Sequence, residues 1–215
     1  MTEEKHSEGL LKKIEDFDQK FFFYFYKNKF FKKKIVRRIC EVISFFGSIE
    51  FWGGLWLIWI IYGYITKDYY LLVLITSGFI QSISVHILIR YKLVRRNRPF
   101  VTLKNEGVRQ HDELIRESKS FPSGHVAFVL FFGIIFAYYF KDYFWIIFVF
   151  LIGFDTLMAI CRLILGVHFP TDVIFGFVFG FFYAILYLGV TYPYWVALFY
   201  WLGEIFSPII HFWKH

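Results

Sequence analysis

The chain has 215 residues, of which 58% are hydrophobic and 25% aromatic, with a mean hydropathy of +0.51 and a formal charge of +7. Long uncharged runs at this apolar content exclude an ordinary soluble domain and point to one compact membrane-embedded domain. The basic residues crowd 27–38 and 90–119, a distribution that in a membrane protein favours anionic headgroups or an anionic ligand over nucleic acid.

Residues 1–34 are not a span. Leu10, Ile14, Phe17 and Phe21 recur at helical spacing with Lys12, Lys13, Glu15 and Asp16 between them, the pattern of an amphipathic helix. The aromatic run 21–26 is too short to cross a bilayer, and Phe30-Phe31 leads into Lys32-Lys33-Lys34. An interfacial helix with aromatics in the acyl boundary and lysines at phosphates fits this interleaving. Residues 1–20 lack an apolar signal-peptide core, so the first span is expected to direct targeting. Residues 35–46 either extend the interfacial segment or dip into the core. The expected division is an interfacial segment over 1–48 and a membrane-embedded domain over 49–213.

The spans follow at 49–66, 69–89, 123–140, 143–165 and 171–190. A sixth at 193–213 is weakened by Glu204 and Pro208, and Thr191-Tyr192-Pro193 is expected to divide it from the fifth. The fold class is therefore all-α: a polytopic membrane helical bundle with five to six transmembrane helices and an N-terminal amphipathic interfacial helix. Residues 100–120 read as a charged loop with a short helix near 113–117. Lys67-Asp68 and Lys141-Asp142 are tight turns. Neither Cys40 nor Cys161 sits in a metal-type spacing, so no disulfide framework, metal or cofactor is expected.

This layout sets a geometric expectation. Two short spans joined by one turn separate His125 from Arg162, so both lie on one membrane face. His168 and Asp172, at the break after the fourth span, share it, as does Arg98 at the end of the second. Five groups suited to phosphate chemistry thus converge at one depth.

Phe121-Pro122-Ser123-Gly124-His125 opens an apolar helix. Proline suits a helix start, glycine permits close backbone approach, and the exposed N–H groups with the macrodipole attract anions. Ser123 adds a hydroxyl donor. Asp172 follows His168 by four residues, which lets its carboxylate reach Nδ1–H and leave Nε2 as a nucleophile. Arg98 and Arg162 offer planar forks that match phosphate oxygens. His86, without a motif partner, reads as structural. Asp155, an ionisable residue inside a span, reads as an interhelical hydrogen bond. Arg109, Arg116 and Lys119 bind a large anionic headgroup or are solvated; the sequence favours neither.

These residues resemble the type-2 phosphatidic acid phosphatase superfamily of integral-membrane lipid phosphatases. Pro122-Ser123-Gly124-His125 matches its second motif. Arg162, His168 and Asp172 match the third at its spacing, with Cys161 where the family has serine, and Arg98-Pro99 matches the end of the first. The family's first-motif lysine falls on Tyr91, and Lys92, one position on, is taken as its substitute ahead of Arg95 and Lys119. The resemblance covers roughly 49–190.

It implies metal-free double displacement, with His168 as nucleophile, His125 as acid and then base, and Asp172 orienting His168. Arg98, Arg162, Ser123, Gly124 and Lys92 would bind phosphate oxygens. It further implies a lipid phosphatase acting on lipid A 1-phosphate, undecaprenyl diphosphate or phosphatidylglycerophosphate. The basic loop and interfacial helix lean toward a large anionic glycolipid. The alternatives are a lipid phosphotransferase using the same intermediate and a non-catalytic protein that binds or transports anionic lipid. The expected partners are membrane lipids carrying phosphate, with no nucleic acid and no obligate protein partner; the oligomeric state stays open. The positive-inside rule would turn the basic face to the cytoplasm. The family resemblance implies instead the bacterial inner membrane with the site at the periplasmic face, and that reading is adopted because a phosphate site is basic whichever way it faces.

Overall fold

The computed structural model describes residues 2–113 and 115–210; residues 211–213, the end of the expected sixth span, lie outside them. Helix α1 (Thr2–Tyr26) and helix α2 (Lys34–Phe45) precede the membrane helices. On α1, Ile14, Phe17 and Phe21 of the apolar stripe named from the sequence are exposed. A second stripe, Asp18, Phe22 and Tyr26, is buried. Helix α2 packs on α7 (Phe144–Ile164), with buried Cys40 beside Cys161 and Ile164.

Helix α3 (Ile49–Thr66) starts at Ser48, whose hydroxyl accepts from the Phe51 N–H, and ends at Lys67 in the left-handed region (φ 58°). Asp68 then caps α4 (Tyr69–Leu88), accepting from the Leu71 N–H. Its other oxygen accepts from the Tyr139 hydroxyl at 2.5 Å, tying this turn to the far end of α6 (Gly124–Tyr139). Helix α7 (Phe144–Ile164) returns to the first face, and α8 (Pro170–Ala184) leaves it again. The C-terminal ends of α4 and α7 and the N-terminal ends of α6 and α8 therefore share one face, as the span count requires.

Four helical stretches are long and apolar enough to cross a membrane among the described residues: Ile49–Thr66, Tyr69–Lys92, Lys141–Ile164 and Pro170–Ile205. Gly124–Tyr139 is apolar but shorter. It is the buried centre of the bundle and packs most extensively on α8 and α7. Gly176 and Gly180, four residues apart on α8, make that approach possible. A Cβ at Gly180 would stand 2.9 Å from the Ala127 carbonyl oxygen, and one at Gly176 would stand 2.9 Å from Val126. Small residues at this spacing let two backbones pack closely where lipid gives no hydrophobic drive.

Two expectations change. No helix forms at residues 113 or 115–117. The loop's helical turns are α5 (Pro99–Thr102), with proline at its first position, and a 3-10 turn at Lys104–Glu106. Nor does Thr191-Tyr192-Pro193 interrupt the last run. A π-helical segment (Ile185–Thr191) joins α8 to α9 (Tyr192–Ile210) without a break. The Thr191 hydroxyl reaches the Leu186 and Tyr187 carbonyls at 3.2 and 3.4 Å and the Gln81 side chain of α4 at 2.6 Å.

Candidate active site

His168 stands in the short connection between α7 and α8, fully buried. Arg98 Nη1 donates to its Nε2 at 3.0 Å and to the Val167 carbonyl at 3.0 Å, while Arg98 Nε donates to the Glu117 carbonyl at 2.9 Å. A guanidinium only donates, so Nε2 carries the lone pair and Nδ1 the proton. Nδ1 lies 3.6 Å from Asp172 Oδ2. The expected pairing is thus present as an approach longer than a hydrogen bond, and Nε2 is engaged by Arg98 where the sequence left it free. Burial, then the charges of Arg98 and Arg162, push His168 well below the ordinary histidine value and keep it neutral. Arg98 is pushed down as well, by burial and by Arg162 and Arg90 beside it.

Asp172 is occupied on two sides. Its Oδ2 accepts from the Phe169 N–H at 2.8 Å, closing the first turn of α8, and its Oδ1 accepts from Arg96 Nη1 at 3.1 Å. Arg162, fully buried, donates Nη1 to Asp112, and its Nε and Nη2 have no partner. Ser123 is the N-cap residue of α6, with Pro122 just outside the helix; its buried hydroxyl has no partner. The Ser123 N–H donates to the Asp172 carbonyl at 3.0 Å, which locks the second motif to the third.

A cavity of about 490 Å³ opens above this layer, lined by Arg98, Gly124 and His125 with Arg90, Tyr91, His86 and residues of the 113–117 loop. Its walls at Ile49, Ile83, Ile87 and Phe128 are apolar. His125 turns an unpartnered Nε2 into the site and is held by Gly47, where a Cβ would stand 2.8 Å from the His125 Cβ. Gly124 is needed for a similar reason: its Cβ would stand 3.0 Å from His86 Nε2 and 3.4 Å from Arg90 Nη2. The structure brings His125, His168, Asp172, Arg98, Arg162, Ser123 and Gly124 together. Ser123, Arg162, His168 and Asp172 are fully buried and do not line the cavity; His168 meets its lining through Arg98.

Lys92 stays out. It is exposed and does not line the cavity. The end of α4 widens into a π turn over Ile89–Leu93, which rephases the side chains. Arg90 then lines the cavity, donating to the Pro122 carbonyl at 3.0 Å and to Glu117 at 2.8 Å. Tyr91, at the family's lysine position, gives its hydroxyl to Glu117 at 2.8 Å. Lys119 donates to Asn97 at 3.0 Å, and Arg95 is exposed.

Reading the sequence missed Arg90, Arg96 and Asp112 as parts of the site, and Asp18 behind them. His86, read as structural, bonds Tyr183 through Nδ1 at 3.0 Å and also lines the cavity with Nε2 unpartnered. Asp155 is buried but makes no interhelical hydrogen bond: neither carboxylate oxygen has a partner. Cys161 is a buried free thiol packed with Cys40. Among the described residues, no group of three or more His, Cys, Asp or Glu is placed to hold a metal ion.

The sequence matches the PAP2 superfamily over residues 68–203. Two crystal structures share the fold, each 20% identical in sequence. Aquifex aeolicus LpxE superposes with a TM-score of 0.59, covering 80% of this chain and 94% of its own. The first transmembrane PAP2 type phosphatidylglycerolphosphate phosphatase from Bacillus subtilis gives 0.66, covering 82% and 85%. A search of curated proteins gives no significant match.

Proposed function

The chain belongs to the PAP2 superfamily of membrane phosphatases, and from that premise we propose that it hydrolyses a phosphomonoester or diphosphate on a membrane lipid through a phosphohistidine. The observation that carries this reading is the contact between Arg98 and His168: a neutral imidazole, its Nε2 lone pair held at 3.0 Å by a phosphate-matching guanidinium that itself lines the cavity beside Arg90. Nε2 attacks phosphorus and forms the N–P bond as the P–O bond to the lipid breaks. His125 donates a proton to the departing oxygen, then takes one from the water that cleaves the N–P bond and releases inorganic phosphate. Arg98, Arg162, Ser123 and the Gly124 N–H stabilise the charge on the transferring oxygens, with Arg90 in the place expected for Lys92.

The apolar side of the cavity suits the lipid chain, and the basic side its phosphate. Lipid A 1-phosphate, undecaprenyl diphosphate and phosphatidylglycerophosphate fit this class. The basic loop favours a large anionic glycolipid. We take Gly124–Tyr139 as a further span: 16 residues rise about 24 Å, close to the roughly 30 Å hydrocarbon core. Residues 1–48 then serve as the interfacial segment, with exposed Phe17 and Phe21 toward the lipid. The setting is the bacterial inner membrane with the cavity at the periplasmic face.

Purified protein incubated with each of the three lipids tests the reading. Free phosphate from one of them, lost in His168→Ala, is the expected result. Label passing to an acceptor lipid would mark a transferase instead, and unchanged function in His168→Ala would mark a non-catalytic lipid-binding protein.

A further inference from the structure

Asp18 is an oddity of α1. The helix is largely exposed, yet this carboxylate is fully buried, and its partners Arg96 and Thr171 lie 78 and 153 residues away in sequence. Three donors surround it: the Thr171 N–H at 2.8 Å, the Thr171 hydroxyl at 2.6 Å and Arg96 Nη2 at 2.5 Å. The other arm of Arg96 donates to the Thr171 hydroxyl at 2.6 Å and to Asp172 Oδ1 at 3.1 Å. The same guanidinium lies over the Phe169 ring, 4.2 Å from its centre, and Phe22, one turn after Asp18, packs on that ring at 5.7 Å. Every residue from His168 to Asp172 except Pro170 is thus bonded to, or packed against, another member of this chain of contacts.

We propose that Asp18 is a positioning residue for catalysis: through Arg96 it fixes the Asp172 carboxylate, and through Asp172 the orientation of His168. The proposal rests on the phosphatase reading above. The physical reason is that Arg98 holds only the Nε2 side of His168; the Nδ1 side meets Asp172 loosely, at 3.6 Å, so the aim of the ring on that side depends on what holds Asp172. With Asp172 alone, one arm of the partly buried Arg96 would be left loose; Asp18 takes that arm and completes the fork. The N-terminal helix therefore acts as a strap whose docking completes the site, which no motif in the membrane domain supplies.

A double-mutant cycle separates positioning from mere packing. Asp18→Asn keeps the size and one acceptor oxygen, for the Thr171 N–H, while removing the charge and the second acceptor oxygen that hold Arg96. It is made in the wild-type and Asp172→Asn backgrounds of the full chain, and phosphate release is measured from lipid A 1-phosphate, undecaprenyl diphosphate and phosphatidylglycerophosphate in detergent micelles. For the lipid turned over fastest, kcat is expected to fall about 10- to 100-fold with KM within about twofold, the size usual for partners that orient a ligating or reacting group. In the Asp172→Asn background the same change is expected to cost less than about twofold, because the link is already cut. Arg96→Gln, which leaves the Asp18 bonds to Thr171 in place, carries the same cycle should Asp18→Asn fold poorly. Wild-type kcat in Asp18→Asn, or equal losses in both backgrounds for either variant, overturns the positioning role and leaves the phosphatase reading standing. Phosphate release that survives His168→Ala overturns both.

Discussion

Arg98 Nη1 donates to His168 Nε2 at 3.0 Å, and because a guanidinium has no lone pair to offer, this one contact sets the imidazole tautomer. The proton is on Nδ1, facing Asp172, and the Nε2 lone pair faces Arg98. On the proposed reading, Arg98 is at once the tautomer lock and the first phosphate ligand.

Arg98→Lys keeps the charge but loses the fork that reaches Val167, His168 and Glu117 together. We expect kcat/KM for phosphate release to fall about 10²- to 10³-fold, the cost of losing one preorganised donor at a developing charge. A lysine variant within about threefold of wild type would show that charge alone suffices and that the fork is idle.

Arg90 and Lys92 make opposite predictions. Arg90→Ala removes a cavity-lining cation bonded to the Pro122 carbonyl, and kcat/KM should drop about 10- to 100-fold, the equivalent of a charge-assisted hydrogen bond. Lys92→Ala should change it less than about twofold, as expected of an exposed residue. The reverse order in the same lipid assay would restore Lys92 to the site.

Gly180→Ala should destabilise the bundle by about 1–3 kcal/mol, the usual cost of overpacking. Its Cβ would meet a backbone oxygen at 2.9 Å, and backbone cannot swing aside as a side-chain tip can. Gly54→Ala, with nothing within 4 Å, is the matched control. Thermal unfolding in detergent compares them; equal melting temperatures would mean that α6 and α8 have slack the structure does not show.

Acid should weaken the fold through His168. Unfolded, this histidine takes a proton near pH 6.5; folded, it does so only well below that. Its contribution is whole above pH 6.5 and is lost as the pH falls beneath it, by up to about 1.4 kcal/mol per pH unit for one proton. His111, also pushed down, chiefly by burial and by Arg37, adds to the slope with the same sign. His168→Gln should flatten the fall in stability between pH 6.5 and 5 by one proton's worth and leave the His111 part. An unchanged slope would mean that His168 is protonated in the folded protein.

How far the sequence reaches can be seen residue by residue. His125, His168, Asp172, Arg98 and Arg162 were legible because each sits at the end of an apolar run, and the parity of crossings puts run ends on one face or the other. Asp155 was legible as buried but not as unpartnered, since neighbours across helices are not encoded in local spacing. Lys92, taken from its place one residue after the family's lysine position, does not line the cavity, because the end of α4 widens to π geometry and brings Arg90 there instead. Phe17 and Phe21 mark the exposed side of α1; the side that docks carries Asp18, which on charge alone looks like one more solvated residue.

What the sequence by itself determined is the membrane class, the helical runs and their order, and the phosphate-chemistry residues of the second and third motifs. Those follow from local facts: apolar length against bilayer thickness, and short-range spacing along one helix or turn. Only the tertiary structure decided which charges sit behind the reacting groups. Arg96 meets Asp172, Asp112 meets Arg162 and Asp18 meets Thr171 across 76, 50 and 153 residues. Pairings at that range are fixed by how the helices pack, through close approaches such as Gly176 and Gly180 against α6, and not by anything a stretch of chain carries alone.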